Sequence, residues 1–242
     1  MDSAAPDTVA QYFSGRINLL IVEDDETLLS ALTEIFSISC IAVKKASNIA
    51  EARNAIARHD NNWHCWIIDL CLGGKKNAGM ALIEEHDKFP FAIVYSGIGS
   101  MESASYAIQK GAEAVIEKGG GSIAKLIREV CGLAPLAVLC NGKIHKSKEV
   151  LFLLKSQTIK DPREWAEKSG MSLRQIENIS SMHTGMPPSL VIPLYYGLRH
   201  LLVTDITGRE PAVNKEELTF HKSCVDILQK NFPSYQELLF RY

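Results

Sequence analysis

Residues 18–29 read N-L-L-I-V-E-D-D-E-T-L-L, so that four consecutive acids, 23–26, directly follow an apolar run. A short, continuous apolar run is typical of a buried β-strand. Carboxylates this close repel one another unless water separates them or a positive charge lies among them. The stretch therefore predicts a strand whose carboxyl end carries an acidic cluster containing either solvent or a cation.

Apolar runs of strand length recur along the first half of the chain and are separated by helical patterns. The predicted strands are 17–22, 41–43, 66–70, 91–95 and 114–116. The predicted helices are 27–37, 48–58, 78–86, 101–110 and 122–130. Apolar strands that alternate with amphipathic helices predict a parallel sheet covered on both faces. Five such units indicate a doubly wound, flavodoxin-like α/β fold, in which ligands bind at the carboxyl ends of the strands.

Polar side chains lie at or just after the carboxyl ends of four of these strands and should share one crevice: Glu23, Asp24, Asp69, Ser96 and Lys118. Each of them alone is more typical of a solvated turn, so the prediction depends on their joint arrangement. Three carboxylates form an oxygen-rich set that suits Mg²⁺. With the ion bound, Asp69 could act as a nucleophile toward a phosphoryl donor. Lys118 would then supply a second positive charge, and Ser96 a hydrogen bond.

Four short motifs at these positions resemble those of response-regulator receiver domains in two-component signalling. They are L-L-I-V-E-D-D, W-I-I-D-L, V-Y-S-G and A-E-A-V-I-E-K, and they lie in order within residues 17–131. The resemblance implies that Asp69 accepts phosphate from a sensor histidine kinase, and that Ser96 and Lys118 transmit the phosphorylated state. It also implies a set of Mg²⁺ ligands: Glu23, Asp24, Asp69 and the backbone carbonyl of Cys71.

Three features depart from the family pattern. Gly119 stands where receivers usually have a proline after the lysine. A cis bond before a non-proline residue costs about 2.5–4 kcal/mol, so we expect a trans peptide and a different placement of Lys118. The loop after Asp69 is longer than usual. Receivers usually have an aromatic switch residue on the fifth strand, but Val115 occupies this position here. The usual coupling between the hydroxyl after the fourth strand and this aromatic ring is therefore not expected to work unchanged.

Charge divides the chain into two parts. Residues 1–140 contain 12 Lys+Arg and 17 Asp+Glu (net −5), whereas residues 141–242 contain 14 and 11 (net +3). The boundary lies where Pro135, Gly142 and several lysines occur, a composition that indicates a linker. The predicted order is a flexible leader, the receiver domain, a linker and an all-α output domain: 1–15, 16–132, 133–147 and 148–242.

The second part contains strong helix signals. Asp161 and Pro162 predict a helix start, Gly170 a helix end, and Ser172 with Gln175 a second start. Two short helices joined by such a turn predict a helix-turn-helix at 162–183. Residues 161–188 resemble one AraC-type helix-turn-helix unit, although Pro193 is expected to interrupt the following helix. The second helix would present a DNA-reading face: Arg174, Gln175, Asn178 and Ser181. The alternative is a helical bundle in which these spacings reflect packing.

These features favour a phosphorylation-controlled transcription regulator. A single DNA-reading unit with little positive charge would bind weakly, so we expect a homodimer. The alternative is a receiver whose helical part binds another protein and no DNA. We expect no enzyme, because a phosphatase of the haloacid-dehalogenase type would need an acid where Cys71 stands. Irregularly spaced cysteines and the lack of a signal peptide or of about 20 consecutive apolar residues predict a cytoplasmic protein with no membrane segment.

Overall fold

The computed structural model describes residues 17–38, 41–58, 63–85, 91–97, 101–140 and 148–231, so the predicted leader at 1–15 lies outside the described residues. Five parallel strands form one sheet in the order β2-β1-β3-β4-β5. They are β1 (Ile17–Val22), β2 (Ile41–Ala46), β3 (Cys65–Ile68), β4 (Ala92–Ser96) and β5 (Ala112–Glu117). This strand order is the flavodoxin-like one, and it confirms the predicted doubly wound sheet.

Five helices alternate with the strands and cover both faces of the sheet. They are α1 (Glu26–Phe36), α2 (Ile49–Arg58), α3 (Met80–Glu85), α4 (Met101–Gln109) and α5 (Ser122–Leu139). Successive side chains of β1 point to opposite faces. Leu19 therefore belongs to the apolar cluster that contains residues of α1 and α5, and Leu20 to the cluster that contains residues of α2, α3 and α4. Both faces of the sheet are therefore buried, which explains why its strands are apolar throughout.

Helix α5 corrects the predicted linker at 133–147. The helix continues through Pro135 as far as Leu139, and its residues 130–139 are all buried. A proline inside a helix costs about 3 kcal/mol because it removes one hydrogen bond and crowds the preceding turn. Burial of one leucine or valine contributes about 1.5–3 kcal/mol, so several such side chains offset this cost. The remainder of the predicted linker, 141–147, lies outside the described residues.

Beyond α5 the described part of the chain is helical. It contains α6 (Lys148–Ser156), α7 (Pro162–Ser169), α8 (Leu173–Thr184), α9 (Pro188–Thr207) and α10 (Lys215–Asn231). Helix α9 lies at the centre and packs against α5, α7, α8 and α10. The predicted interruption at Pro193 is wrong, because α9 passes through this residue and is buried over 191–198. Among the described helices, none combines the length and the apolar character needed to cross a bilayer.

The sheet and the helical part share one apolar core. The core on the α1 and α5 face of the sheet continues without a break into α6, α7, α9 and α10. The hydroxyl of Tyr195 in α9 donates a hydrogen bond to the carbonyl of Gly132 in α5, at 3.2 Å. The rings of Phe91, beside β4, and Phe152, in α6, have centroids 5.5 Å apart. A change in the position of α5 would therefore be transmitted to both parts.

A buried tyrosine fixes the loop between α6 and α7 against α9. The hydroxyl of Tyr196 accepts a hydrogen bond from the amide of Ile159 at 2.9 Å. The same hydroxyl lies 3.0 Å from the carbonyl of Leu154 and 2.7 Å from that of Gln157, to one of which it donates. Both Tyr196 and Ile159 are fully buried, so no water can replace these contacts.

Replacement of this hydroxyl tests the shared core. We expect Tyr196→Phe to lower the free energy of unfolding by about 1–3 kcal/mol, because the amide of Ile159 would stay buried without an acceptor. Urea denaturation measures the change. The control is Tyr106→Phe, which removes an exposed hydroxyl that donates to Glu84. We expect the control to cost less than about 1 kcal/mol. Equal effects of the two substitutions would contradict this account.

Candidate functional site

Three acidic side chains converge at the carboxyl edge of the sheet, as predicted. Glu23 and Asp24 follow β1, and Asp69 follows β3. Glu23 and Asp69 are buried (2% and 4% exposed), whereas Asp24 is exposed. One carboxylate oxygen from each lies within 4.8 Å of the others. The next acid, Asp25, is exposed, and its side chain caps α1 through hydrogen bonds from the amides of residues 27 and 28. Only its backbone amide contacts the cluster, donating to Oε1 of Glu23 at 3.3 Å.

The ammonium group of Lys118 lies among these acids. Its Nζ is 2.5 Å from Oδ2 of Asp69 and 2.7 Å from Oε2 of Glu23. The peptide bond after Lys118 is trans, as expected for a lysine followed by glycine, yet the side chain still reaches Asp69. The positive charge that the acidic run requires is thus supplied by the chain itself.

The electrostatics of this contact follow from its burial. Burial raises the pKa of Glu23, and the hydrogen bond from Lys118 offsets only part of this effect. Burial lowers the pKa of Lys118, but its hydrogen bonds to Asp69 and Glu23 more than compensate, so the pKa lies above the ordinary value. Lys118 therefore remains charged, because two carboxylates stabilise its ammonium form.

The loop after β3 holds the acids in place through its backbone. The amide of Cys71 donates to Oδ1 of Asp69 at 3.0 Å, and the amide of Gly73 donates to Oδ2 of Asp24 at 2.8 Å. The loop then returns to its own start, where the amide of Gly79 donates to the carbonyl of Leu70 at 3.1 Å. A Cβ atom at Gly79 would lie 2.0 Å from the carbonyl oxygen of Asp69, so only glycine allows this approach. The role of the Cys71 carbonyl as a metal ligand stays a prediction.

Ser96 lies at the same edge, at the end of β4. Its carbonyl accepts a hydrogen bond from the amide of Lys118 at 2.9 Å, so the two residues are joined through the backbone. Its hydroxyl is buried and has no hydrogen-bond partner within the described part of the chain. A buried hydroxyl without a partner costs about 1–3 kcal/mol, and an oxygen-rich ligand at this edge could remove that cost.

The donor set fits a divalent cation. Mg²⁺ binds hard oxygen ligands, usually one or two carboxylates completed by water or phosphate oxygens. Glu23, Asp24 and Asp69 provide such oxygens within one small volume. Lys118 neutralises part of their charge, so a bound ion would share the two buried carboxylates with its ammonium group.

The sequence interpretation missed Tyr95, which precedes Ser96 in β4. The ring of this buried side chain has its centroid 5.8 Å from Nζ of Lys118. Its hydroxyl lies 2.8 Å from Oγ of Ser122. Val115 on β5 is only partly buried and packs with the core on the opposite face of the sheet. An aromatic residue next to Ser96 is visible in the sequence, but its contact with Lys118 depends on how the loop after β5 folds.

Ser122 connects Tyr95 to α5. Gly121, rather than Ser122, occupies the cap position of this helix in a left-handed conformation (φ 77°), and Ser122 is the first helical residue. The hydroxyl of Ser122 instead lies 2.7 Å from the carbonyl of Gly119 and within hydrogen-bond distance of Tyr95. The site around Lys118 is therefore tied to the start of the helix that enters the shared core.

The α7–α8 pair has the outline of the predicted helix-turn-helix. Gly170 ends α7 in a left-handed conformation (φ 65°), and Ser172 begins α8 with a capping box. The four predicted DNA-reading residues, Arg174, Gln175, Asn178 and Ser181, are all exposed. The side-chain oxygen of Gln175 accepts from the amide and the hydroxyl of Ser172, both at 2.9 Å, and so serves the helix cap. DNA contact by these residues stays a prediction.

The acidic edge lies within a region of the chain that is similar to a described family. Residues 19–130 match the family model of the response regulator receiver domain. The chain is also 24% identical over 220 residues to an NtrX-like response regulator of Rickettsia bellii (strain RML369-C). This alignment covers 89% of the chain and 43% of the relative. The chain thus spans less than half the length of the curated relative that it matches.

Solved structures of receiver domains are also similar to this chain. The signal receiver domain of a LuxO repressor protein from Vibrio parahaemolyticus is 24% identical and covers 50% of this chain and 92% of its own, with a TM-score of 0.45. The CheX–CheY–BeF₃–Mg²⁺ complex from Borrelia burgdorferi is 25% identical and covers 47% and 87%, with a TM-score of 0.42. A CheY-like receiver domain protein from Methanospirillum hungatei JF-1 is 25% identical and covers 46% and 87%, with a TM-score of 0.40.

The close approach at Gly79 generates a prediction. We expect Gly79→Ala to lower the free energy of unfolding by about 1–3 kcal/mol, because the added methyl group must displace the loop from the Asp69 carbonyl. We also expect weaker Mg²⁺ binding by calorimetry, since this loop orients Asp69. The matched control is Gly120→Ala, where nothing lies within 4 Å of the added atom. A Gly79→Ala protein as stable as the control would show that the loop is not constrained in this way.

Proposed function

We propose that this chain, whose residues 19–130 form a response-regulator receiver domain, accepts a phosphoryl group on Asp69 from a sensor histidine kinase. The observation that carries the proposal is the position of Asp69. Its carboxylate is buried among acids at the carboxyl edge of the sheet and touches an ammonium group on Lys118. A buried carboxylate that contacts a lysine and has a backbone donor is oriented for nucleophilic attack.

The transfer follows from the contacts of the carboxylate. An oxygen of Asp69 attacks the phosphorus of a phosphohistidine, the P–N bond breaks, and its electron pair remains on the imidazole. The amide of Cys71 fixes one carboxylate oxygen during this step, and Lys118 contacts the other. Mg²⁺, when bound by Glu23, Asp24 and Asp69, supplies charge neutralisation for the phosphoryl oxygens.

The phosphorylated state is stabilised by groups that already lie at this edge. Lys118 exchanges a carboxylate for the new phosphoryl oxygens, and the hydroxyl of Ser96 gains the acceptor that it lacks. A new position of Lys118 alters its contact with the ring of Tyr95. The hydroxyl of Tyr95 is hydrogen-bonded to Ser122 at the start of α5. The altered position of Tyr95 therefore affects the core that α5 shares with the helical part.

The proposed output is DNA binding by the α7–α8 pair. The pair has the turn, the caps and the buried Ile176 that a helix-turn-helix requires, and it presents an arginine and an asparagine to solvent. Arginine pairs well with guanine, and asparagine pairs with adenine, in the major groove. One such unit makes few phosphate contacts, so the proposed active form is a homodimer that reads two half-sites.

A second candidate output is protein binding without DNA. Residues 160–184 contain four Lys+Arg and four Asp+Glu, so the α7–α8 segment has no net positive charge apart from histidine. Helix α8 also exposes Leu173 in its first turn and Met182 in its last turn, at 38% and 60%, and it carries the exposed Glu177 between them. Apolar residues flanked by mixed charges are more typical of a protein-binding surface than of a DNA-reading helix.

The phosphoacceptor is tested by Asp69→Asn. We expect the wild-type chain with Mg²⁺ and acetyl phosphate to gain the mass of one phosphoryl group in intact-mass spectrometry. A carboxamide at this position is a poor nucleophile, so we expect no gain in the variant. The matched control is Asp226→Asn on the exposed side of α10, which should be labelled like the wild type. Labelling of the Asp69→Asn protein would assign the acceptor to another residue.

The substitution Arg174→Ala distinguishes DNA binding from protein binding as the output of the helical part. If α8 reads DNA, affinity for promoter fragments should fall at all salt concentrations, by about 1–3 kcal/mol for a lost arginine–guanine pair. Fluorescence anisotropy at several salt concentrations measures this effect, and Arg58→Ala on α2 is the exposed control. Absence of DNA binding by the phosphorylated wild type at low salt would reject the DNA output and favour the protein-binding one.

A further inference from the structure

A groove lies between the last helix of the sheet part and the central helix of the helical part. We call it the α5–α9 groove, and its volume is about 340 Å³. Most of its lining is apolar and comes from three segments: Ala124 and Ile127 of α5, Val203 of α9, and Pro211, Ala212 and Val213 of the loop after α9. The polar lining consists of Arg128, Arg199 and Thr207, with no acidic side chain.

The two arginines also line a second cavity of about 580 Å³, so they stand between the groove and this cavity. Acidic residues line the second cavity, but Glu129 there is paired with Lys155. No carboxylate of the described residues forms an ion pair with Arg128 or Arg199. Arg199 instead contacts neutral oxygens, the carbonyl of Lys155 at 3.4 Å and the hydroxyl of Tyr195. Within the described part of the chain, the charge of Arg199 is therefore not neutralised by a carboxylate.

We propose that the α5–α9 groove binds an organic anion, which has a carboxylate or phosphate head on an apolar body. Guanidinium groups bind such heads through paired hydrogen bonds, and the apolar walls would cover the body. The volume lies within the range of about 300–1,000 Å³ that is usual for small-molecule sites. A neutral apolar molecule would bring no negative charge to either guanidinium group, and a small inorganic anion would leave the walls exposed.

The position of the groove gives the ligand a structural effect. One wall belongs to α5, which begins at the loop that follows Lys118, and the other belongs to α9, the centre of the helical part. A ligand that binds only when these helices are packed together stabilises that packing by mass action. This effect requires no phosphorylation of Asp69, so the proposal stands independently of the phosphotransfer.

The charge requirement is tested with two probes of the same size. 2-Naphthoate carries the anionic head, and 2-naphthamide is its neutral analogue. In calorimetric titrations of the full chain we expect 2-naphthoate to bind at least about tenfold more tightly, because a charge-assisted hydrogen bond is lost with the amide. We also expect the melting temperature to rise with 2-naphthoate. Equal affinity for the two probes, or no binding of 2-naphthoate at millimolar concentration, would overturn the proposal.

Three variants locate the binding. Ala124→Trp fills the groove from an exposed position on α5, so binding of 2-naphthoate should be lost while the fold is kept. Arg128→Gln, also at an exposed position, should weaken binding about tenfold and reduce the preference over the amide. Arg163→Gln on α7 lies outside the groove and should bind like the wild type. Unchanged binding by Ala124→Trp overturns the proposal. The proposal is also overturned if light scattering shows that this variant differs from the wild type in molar mass in solution, since the groove would then hold a second copy of the chain.

Discussion

The contact of Lys118 with two buried carboxylates is the interaction on which the site depends. Glu23 and Asp69 are nearly inaccessible to water, so their negative charges would be costly without a cation between them. The ammonium group provides that cation in the chain as it stands. The contact of Lys118 is also sensitive to phosphorylation, because a charged group added to Asp69 changes the number of oxygens that compete for the ammonium group. The proposed phosphotransfer uses this competition.

Helix α5 determines how far such a change extends. It begins beside Lys118, where Ser122 contacts Tyr95, and it ends among buried residues of the helical part. Two domains joined by an extended linker could move independently, whereas here α5 lies in the single core that the two parts share. Under the proposed mechanism, a signal at the acidic edge would not need a hinge, because a small shift of α5 would repack the interface with α9, where Tyr195 contacts Gly132. The α5–α9 groove opens on the same interface.

The acidic edge could be predicted from the sequence because parallel strands bring their carboxyl ends to one side of a sheet. The helix starts at Asp161 and Ser172 were also predictable, since a capping side chain acts within a few residues. Pro135 and Pro193 misled the interpretation because both lie in helices, where burial of the surrounding apolar residues outweighs the local cost of proline. Tyr95 was missed because its contact with Lys118 depends on the loop after β5, which joins segments distant in the sequence.

Amide hydrogen exchange of the full chain, with and without Mg²⁺ and beryllium fluoride, tests the coupling most directly. The account predicts altered protection at residues 119–122, along α5 and in the adjoining turns of α9. In Tyr95→Phe, which lacks the hydroxyl bonded to Ser122, the change should remain near the acidic edge. A response confined to the loops around Asp69 in the wild-type chain, or one that is identical in the Tyr95→Phe protein, would contradict the account.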